Sequence, residues 1–403
     1  MPKNRLFSSI TRRELLLQGA AALPAFAALG QASKKMPNSG GSRSGAAAAS
    51  SEHLLFAGTY TGKGSKGIYL TKFNSDSGRI AEFELAAETE SPSFLAIHPT
   101  RRFLFAVNEV DKFQGQNAGS VSSFTMDRVT GKLTPLNRVS SRGSGPCHVA
   151  IDRTGKTLGV ANYGAGSFAV YGVGSTGMIS AGAQAVKVHG KGPNKERQEA
   201  PHTHSVNFSP DNATLIVADL GTDQLLIYHL KAATAGISPA DPPVAMVEPG
   251  SGPRHAAFSH DGKYFYVLNE IVSTLTTFSF DAAASKLTRL GSTTTLPAGF
   301  HGENTTAEVA IDHEGRFLYA SNRGHDSLAI FDLAKPEEPH LIGNVSTGGK
   351  EPRHFTLDPT GKWVLAANQE SDNVVVFSRD RSTGQLKPTG QELRLSKPVC
   401  LVF

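Results

Sequence analysis

The sequence predicts an all-β protein, a seven-bladed β-propeller, and three observations support this prediction. The first is a recurring hydrophobic hairpin, whose clearest copy spans residues 252–270, with an Asp261-Gly262 turn between two apolar strands. The second is a fixed register, because six copies place Asn or Asp eleven residues after an apolar residue of the first strand. The six pairs are Ile97 and Asn108, Ile151 and Asn162, Phe208 and Asp219, Phe258 and Asn269, Ile311 and Asn322, and Leu357 and Asn368. The third is a split copy, because residues 398–403 form a first strand at the end of the chain and residues 54–60 match the missing second strand.

Two further strands are expected after each hairpin. In the first repeat, residues 120–126 and 132–139 show the alternation of half-buried strands. Equivalent segments lie at 167–173, 224–230, 274–281, 286–293, 327–333, 340–345, 373–379 and 386–395, and the fourth strand of the second repeat is expected to be short and interrupted by glycine. Four strands per repeat and a period of about 40 to 50 residues are typical of propeller blades.

The split copy also predicts how the ring closes. Residues 67–73 and 79–87 would supply the third and fourth strands of the last blade, so one C-terminal and three N-terminal strands complete it. Each blade buries its faces against its neighbours, so pairing between the chain ends should stabilise the whole ring.

The N-terminal segment is expected to lie outside the ring. Arg12 and Arg13 precede a short apolar stretch, residues 19–29, and small residues follow, which together indicate a twin-arginine export signal over residues 1–32. The alternative is an amphipathic or disordered tail in which the arginine pair has no function. Residues 33–52 are predicted to be a flexible spacer, and residues 53–403 the propeller. We therefore expect an exported protein, periplasmic or extracellular, without stable membrane insertion once the signal is cleaved, because the apolar stretch is short.

Composition narrows the range of partners. The net charge is +5, and no basic run with interleaved aromatic residues is present, so nucleic-acid binding is not predicted. The two cysteines, Cys147 and Cys400, fall in different repeats and do not indicate a disulfide. We expect a monomer that binds a small anionic molecule.

Polar residues gather at the two ends of the innermost hairpins. The residues before the first strands are Ser93, His148, His202, His204, Arg254, His255, Glu308, Arg353 and His354, and those at the end of the second strands are Glu109, Asn162, Asp219, Glu270, Arg323 and Gln369. Innermost strands line the channel of a propeller, so these side chains should form a polar funnel that suits an anionic ligand.

Position in the repeat separates structural from functional candidates. The recurring Asn residues are expected to bond backbone groups between strands, and a histidine repeated at one position, as at His148, His255 and His354, is more often structural. His204, Arg254, Glu270 and Arg323 depart from the pattern and are the stronger functional candidates. His202 and His204 have the spacing of a metal pair, but no third ligand is evident, and neither a metal nor another cofactor is predicted.

Four motifs together resemble the propeller-type lactonase family, which includes bacterial 6-phosphogluconolactonase and fungal carboxy-muconate cycloisomerase. They lie at residues 201–211, 252–255, 267–270 and 320–323, and the likeness extends from about His53 to Phe403. The family's proposed site has one His, two Arg and one Glu, which correspond here to His204, Arg254, Glu270 and Arg323 as catalytic residues. The export signal is a departure, since the family's sugar-phosphate lactonase acts in the cytoplasm.

The resemblance implies hydrolysis of a sugar-type lactone, such as 6-phosphogluconolactone, by an activated water. Either Glu270 or His204 would be the general base, and Arg254 and Arg323 would bind the substrate anion and the oxyanion. The substrate-binding residues are expected to be His202, Arg353, His148 and His255. Two alternatives stay open: a non-catalytic binding propeller at the cell envelope, and a metal-dependent gluconolactonase that uses Glu109, Asn162 and Asp219.

Overall fold

The computed structural model describes residues 51–403, which form seven antiparallel sheets. This confirms the predicted all-β, seven-bladed propeller. The predicted export signal of residues 1–32 lies outside the described residues, as does the predicted spacer except for its last two residues. Within residues 51–403, no helix has the length and apolar character needed to cross a membrane.

The strands follow one another blade by blade. The closing blade begins with β1 (Glu52–Thr59), β2 (Gly67–Asn74), β3 (Arg79–Ile80) and β4 (Glu84–Glu88). Blade 1 has β5 (Leu95–Ile97), β6 (Phe103–Asn108), β7 (Ser120–Met126) and β8 (Leu133–Ser140), and blade 2 has β9 (Pro146–Ile151), β10 (Thr157–Asn162), β11 (Ser167–Val173) and β12 (Ile179–Lys187). Blade 3 has β13 (Thr203–Phe208), β14 (Thr214–Asp219), β15 (Gln224–Lys231), a 3-10 turn (Ala232–Thr234) and β16 (Gly236–Met246), and blade 4 has β17 (Pro253–Phe258), β18 (Tyr264–Asn269), β19 (Thr274–Asp281) and β20 (Lys286–Thr294). Blade 5 has β21 (Thr305–Ile311), β22 (Phe317–Arg323), β23 (Ser327–Asp332) and β24 (His340–Ser346), blade 6 has β25 (Pro352–Leu357), β26 (Trp363–Asn368), β27 (Asn373–Arg379) and β28 (Leu386–Arg394), and β29 (Pro398–Val402) completes the closing blade.

The two chain ends pair as predicted. β29 runs antiparallel to β1, with Phe56 opposite Val402 and Ala57 opposite Leu401. The predicted strand at 79–87 is divided into β3 and β4, which both pair with β2. The division places Phe83 against the apolar cluster between the closing blade and blade 6.

Outer strands differ most from the sequence prediction. The fourth strand of blade 2 is not short, because β12 extends over nine residues. The fourth strand of blade 3, β16, was expected from the repeat, but the sequence did not predict its bounds, since Pro239, Pro242 and Pro243 interrupt its alternation.

The core lies between neighbouring blades. One cluster joins Leu55 and Phe73 of the closing blade to Leu365 and Val374 of blade 6, and all four side chains are fully buried. A second cluster joins the closing blade to blade 1 through Phe56, Leu104 and Cys400. The ring is therefore held by contacts between blades, which fix the inner strands that carry the polar residues.

Candidate active site

A cavity of about 380 Å³ is formed where the inner strands of several blades end, and its volume is within the range of about 300 to 1,000 Å³ that is usual for small-molecule sites. One group of wall residues directly follows a second strand or ends it: Tyr60, Glu109, Tyr163, Glu270 and Arg323. A second group lies in the first strands: Cys147, His204, Thr305 and Arg353. Arg197 completes the wall from the loop between β12 and β13.

β-bulges occur at first-strand residues that lie in the cavity wall or behind it. The pairing of β13 with β14 skips His204, and the corresponding pairings in blades 4 and 6 skip Arg254 and Arg353. An extra residue of this kind bends the strand and re-aims its side chain. The three residues therefore lie within their first strands, rather than before them as the sequence suggested.

Glu270 is surrounded by guanidinium groups. Its Oε1 accepts a hydrogen bond from Arg197 at 2.5 Å, and its Oε2 accepts one from Nε of Arg254 at 2.9 Å. Nη2 of Arg323 lies 3.3 Å from Oε2. Burial alone would raise the pKa of Glu270, but Arg323, Arg254 and Arg197 together lower it to about 2. Glu270 is therefore ionised throughout the neutral range.

Two of these arginines are also anchored to the backbone. Nη1 of Arg254 donates a hydrogen bond to the carbonyl oxygen of Ala307 at 2.6 Å, and Nη2 of Arg323 donates one to Thr306 at 2.8 Å. Arg254 is only 2% exposed and lies behind Glu270, outside the cavity wall. Nε of Arg323 is buried, and within residues 51–403 it has no hydrogen-bond acceptor. An unsatisfied buried donor beside a cavity is a position where a ligand oxygen would be stabilised.

His204 lies next to Glu270, and its two ring nitrogens make long contacts. Its Nε2 is 3.8 Å from Oε2 of Glu270, and its Nδ1 is 3.8 Å from Sγ of Cys147. Burial lowers the pKa of His204 well below its ordinary value, and Arg254 lowers it further. The ring is therefore neutral at pH 7, and one nitrogen keeps a free lone pair.

The opposite wall carries a cation without a carboxylate partner. The guanidinium of Arg353 lies over the ring of Tyr60, 5.3 Å from its centroid, and the hydroxyl of Tyr60 donates to Oε2 of Glu109 at 2.9 Å. Among the residues that the structure describes, none forms a hydrogen bond or ion pair with the Arg353 side chain. Arg353 is therefore available to an anionic group in the cavity.

Sequence reasoning missed several wall residues. Arg197 lies in a long loop outside the repeat pattern. The length of that loop was the available signal for a functional residue, since long loops in compact domains are often functional. Tyr60 and Tyr163 occupy the position after the second strand that Glu109 and Glu270 occupy in other blades, so stricter alignment of the repeat would have found them.

A second polar cluster fills the channel beneath the cavity. Glu308 lies 2.9 Å from Nδ1 of His255 and 3.4 Å from Nε2 of His354. The ring of Phe94 packs 4.3 Å from that of His148 and contacts both other imidazoles. Burial lowers the pKa of all three histidines and raises that of Glu308. This cluster adjoins the site, since the rings of His204 and His255 are 5.1 Å apart.

Four of the five recurring Asn residues bond backbone carbonyl groups as predicted, whereas Asn269 donates to the hydroxyls of Thr274 and Thr276. Nδ2 of Asn108 donates to the carbonyl oxygen of Glu90 at 2.6 Å, and Nδ2 of Asn162 donates to that of Ser141 at 2.9 Å. Asp219 similarly accepts hydrogen bonds from the backbone of His202 and the hydroxyl of Thr222. The recurring Asn and Asp side chains fasten the ends of the second strands in blades 1 to 6.

A larger groove of about 910 Å³ lies at the other ends of the strands, near blades 1 to 3. Its wall includes Phe103, Val173, Met178 and several glycines. The described residues of its wall include no buried ionic cluster comparable to the one around Glu270, so the smaller cavity is the better candidate for chemistry.

Comparison with known proteins identifies the family. The model of the seven-bladed β-propeller lactonases matches residues 54–403. The chain belongs to this lactonase family. It is 33% identical to 6-phosphogluconolactonase of Bacillus subtilis over 353 residues, which cover 87% of this chain and 98% of the relative. It is 35% identical to a 6-phosphogluconolactonase of Formosa agariphila, with 84% and 96% covered. Among solved structures, the periplasmic gluconolactonase of Pseudomonas aeruginosa matches with a TM-score of 0.82 and 33% identity, covering 88% of this chain and 99% of that one.

This member of the lactonase family brings only part of the predicted site into the cavity. His204, Glu270, Arg323 and Arg353 line it, and Arg254 supports Glu270 from behind. His148 and His255 lie in the channel cluster below, and His202 stacks on the ring of Tyr163 at 4.4 Å. Direct substrate contact by these three histidines stays a prediction.

The spacing of His202 and His204 does not bring their rings to one point. Nε2 of His202 lies 3.1 Å from Oε1 of Glu199, whereas Nε2 of His204 is directed towards Glu270. Within residues 51–403, no group of three or more His, Cys, Asp or Glu side chains is arranged to hold a metal ion.

Proposed function

We propose that this protein hydrolyses the lactone of a sugar acid, with 6-phosphogluconolactone as the preferred type of substrate. The observation that carries the proposal is a single cavity that holds a neutral imidazole, an arginine-bound carboxylate and an unpaired arginine. The relatives named as 6-phosphogluconolactonase and gluconolactonase support lactone hydrolysis.

His204 is the better general base of the two candidates. Opening a lactone requires removal of a proton from the attacking water. Both oxygens of Glu270 already contact guanidinium groups, and its low pKa makes it a poor proton acceptor. His204 is uncharged and makes no hydrogen bond that would occupy both ring nitrogens, so it can accept the proton.

Arg323 is suited to stabilise the oxyanion. The carbonyl oxygen of the lactone becomes negative as water adds, and fixed cationic donors at that position lower the barrier. Arg323 is held by Thr306 and Glu270, yet its Nε remains without an acceptor among residues 51–403. Arg254 acts indirectly, by fixing the carboxylate of Glu270.

Charge favours an anionic lactone. Four guanidinium groups, from Arg197, Arg254, Arg323 and Arg353, lie in or behind the wall, against the carboxylates of Glu109 and Glu270. Arg353 is the group best placed to bind a phosphate, because it has a planar fork of donors and forms no ion pair with a carboxylate of the described residues.

We also propose that the protein is exported before it acts. The arginine pair and the apolar stretch of residues 1–32 support a twin-arginine signal. The Pseudomonas aeruginosa relative is named as periplasmic, which is consistent with a lactonase of this family outside the cytoplasm.

Hydrolysis by the purified protein tests the proposed function. Acid release from 6-phosphogluconolactone and from unphosphorylated gluconolactone should be followed after subtraction of spontaneous hydrolysis, with and without EDTA. Faster turnover of the phosphorylated lactone, unaffected by EDTA, is the expected result. Preference for the plain lactone with loss of activity in EDTA would favour metal-dependent chemistry, and activity on neither would overturn lactone hydrolysis.

A further inference from the structure

The loop of residues 188–202 connects β12 to β13 and places Arg197 in the cavity wall. The loop is not part of the repeated hairpin. Arg197 is the most exposed of the three arginines at Glu270, with 36% of its side chain accessible. Within residues 51–403, its side chain has no backbone carbonyl partner of the kind that anchors Arg254 and Arg323. Its additional contact, from Nη2 to the hydroxyl of Tyr163, is long at 3.4 Å. The position of Arg197 must therefore be set by the loop itself.

Gln198, the next residue, anchors this loop. Its side chain is fully buried, and its Nε2 donates to the carbonyl oxygen of Leu220 and to Oδ1 of Asp223, both at 2.8 Å. Its Oε1 accepts a hydrogen bond from the backbone N–H of Asn194 at 3.1 Å. The amide group thus links the loop to the turn between β14 and β15.

Gly221 permits this close approach. A Cβ atom at this position would lie 1.9 Å from the carbonyl oxygen of Ala200, which belongs to the loop. Any larger residue would push the loop away from the turn, so the backbone of this turn is shaped to receive it.

Asp223 extends the link to a second segment. Its side chain is buried, its Oδ1 also accepts the N–H of Gly252 at 2.8 Å, and its Oδ2 accepts the N–H of Gly250 at 2.7 Å. Gly252 lies two residues before Arg254. A buried carboxylate is costly unless it is fully hydrogen-bonded, and these three donors meet that requirement.

One carboxylate therefore ties together the two segments whose arginines bind opposite oxygens of Glu270. Arg197 binds Oε1 and Arg254 binds Oε2. We propose that Gln198 and Asp223 are positioning residues for lactone hydrolysis, which act by holding Arg197 and Arg254 at a fixed separation on Glu270. The proposal rests on the proposed function, since it concerns the rate of that reaction.

A double-mutant cycle tests the proposal. Gln198→Leu removes the N–H donors to Leu220 and Asp223. We expect kcat/KM to fall by about tenfold to a hundredfold, because small displacements of catalytic groups have effects of this size. Arg197→Ala should lower it at least as much. In the double variant, the loss should be no greater than that of Arg197→Ala alone, because Gln198 acts through Arg197.

The matched control is Gln391→Leu. Gln391 also bridges two segments, donating from Nε2 to the carbonyl oxygen of Gly78 and accepting the N–H of Ile80, but it lies at the outer edge between blade 6 and the closing blade. This variant should lose stability without losing kcat/KM. Asp223→Asn keeps the shape of the side chain but not its second acceptor, and it provides a milder test should Gln198→Leu fail to fold. Because that acceptor binds the N–H of Gly250 on the Arg254 segment, its loss of kcat/KM should persist in the Arg197→Ala background, unlike the loss caused by Gln198→Leu.

The outcomes separate the inference from the proposed function. Wild-type protein that hydrolyses no lactone would overturn the proposed function and the inference with it. If the wild type is active but the effects of Gln198→Leu and Arg197→Ala on kcat/KM multiply independently, the inference alone is overturned. Equal losses of kcat/KM in Gln198→Leu and Gln391→Leu would also overturn the inference, because that result assigns Gln198 a purely structural role.

Discussion

Nε2 of His204 lies 3.8 Å from Oε2 of Glu270, too far for a hydrogen bond, and this separation distinguishes the roles of the two residues. The carboxylate is committed to guanidinium groups on both of its oxygens. The imidazole is buried, and its Nδ1 makes only a long contact with Sγ of Cys147 at 3.8 Å among residues 51–403. A base that accepts a proton and a carboxylate that organises cations can therefore occupy neighbouring positions without competing.

Glu270→Gln should destabilise the fold as well as impair activity. Arg254 is fully buried, so loss of the carboxylate leaves a buried cation without its ion-pair partner, which costs about 3 to 5 kcal/mol. The free energy of unfolding in urea measures this cost. Glu370→Gln is the control, because Glu370 pairs with Lys397 at the surface, where such a pair contributes about 1 kcal/mol or less. Equal stabilities of the two variants would contradict the assigned role of Glu270.

The pH dependence of kcat/KM should report the lowered pKa of His204. Neutral imidazole is the active form of a general base, so activity is lost only as pH falls through the pKa of His204 in the folded protein. Burial and then Arg254 lower that pKa, so the acid limb should lie below pH 6.5. The unphosphorylated lactone is the appropriate substrate, since a phosphate itself ionises near pH 6. His204→Gln should lower kcat by about a hundredfold or more and abolish the limb. An acid limb centred at or above pH 6.5 would exclude His204 as the base.

Arg353 should determine the preference for a phosphorylated lactone. Loss of a charge-assisted contact worth about 1.5 to 3 kcal/mol corresponds to an increase in KM of roughly ten- to a hundredfold. Arg353→Leu should show this increase for 6-phosphogluconolactone and little change for gluconolactone. Lys350→Met removes an exposed positive charge from a nearby loop and controls for the general effect of net charge. A parallel loss for both lactones would indicate that Arg353 contacts the reacting ring rather than the phosphate.

The sequence predicted the ring and its closure because the hairpin repeat is a local pattern that the fold preserves. It also pointed to His204, Glu270 and Arg323, which depart from that pattern at otherwise equivalent positions. It did not place Arg254 behind Glu270, because the burial of that side chain depends on the bulge in β17 and on the carbonyl group of Ala307 in the next blade. Arg197 was missed for a related reason: its position depends on hydrogen bonds between Gln198 and Asp223, which are far apart in the repeat scheme.

Ring closure by β29 should be essential to stability. Leu401 and Cys400 are buried on opposite sides of β29, in the clusters that join the closing blade to blade 6 and to blade 1. Removal of the last ten residues would expose both clusters and leave β1 as an open edge, so we expect loss of the cooperative thermal transition. Leu401→Ala is a milder change than the truncation. It should lower the free energy of unfolding by about 2 to 5 kcal/mol, as a buried large-to-small substitution. Val129→Ala, at a side chain that is 82% exposed, should change stability by less than about 0.5 kcal/mol. A truncated protein that melts at the wild-type temperature would show that the seven blades hold together without the pairing of the chain ends.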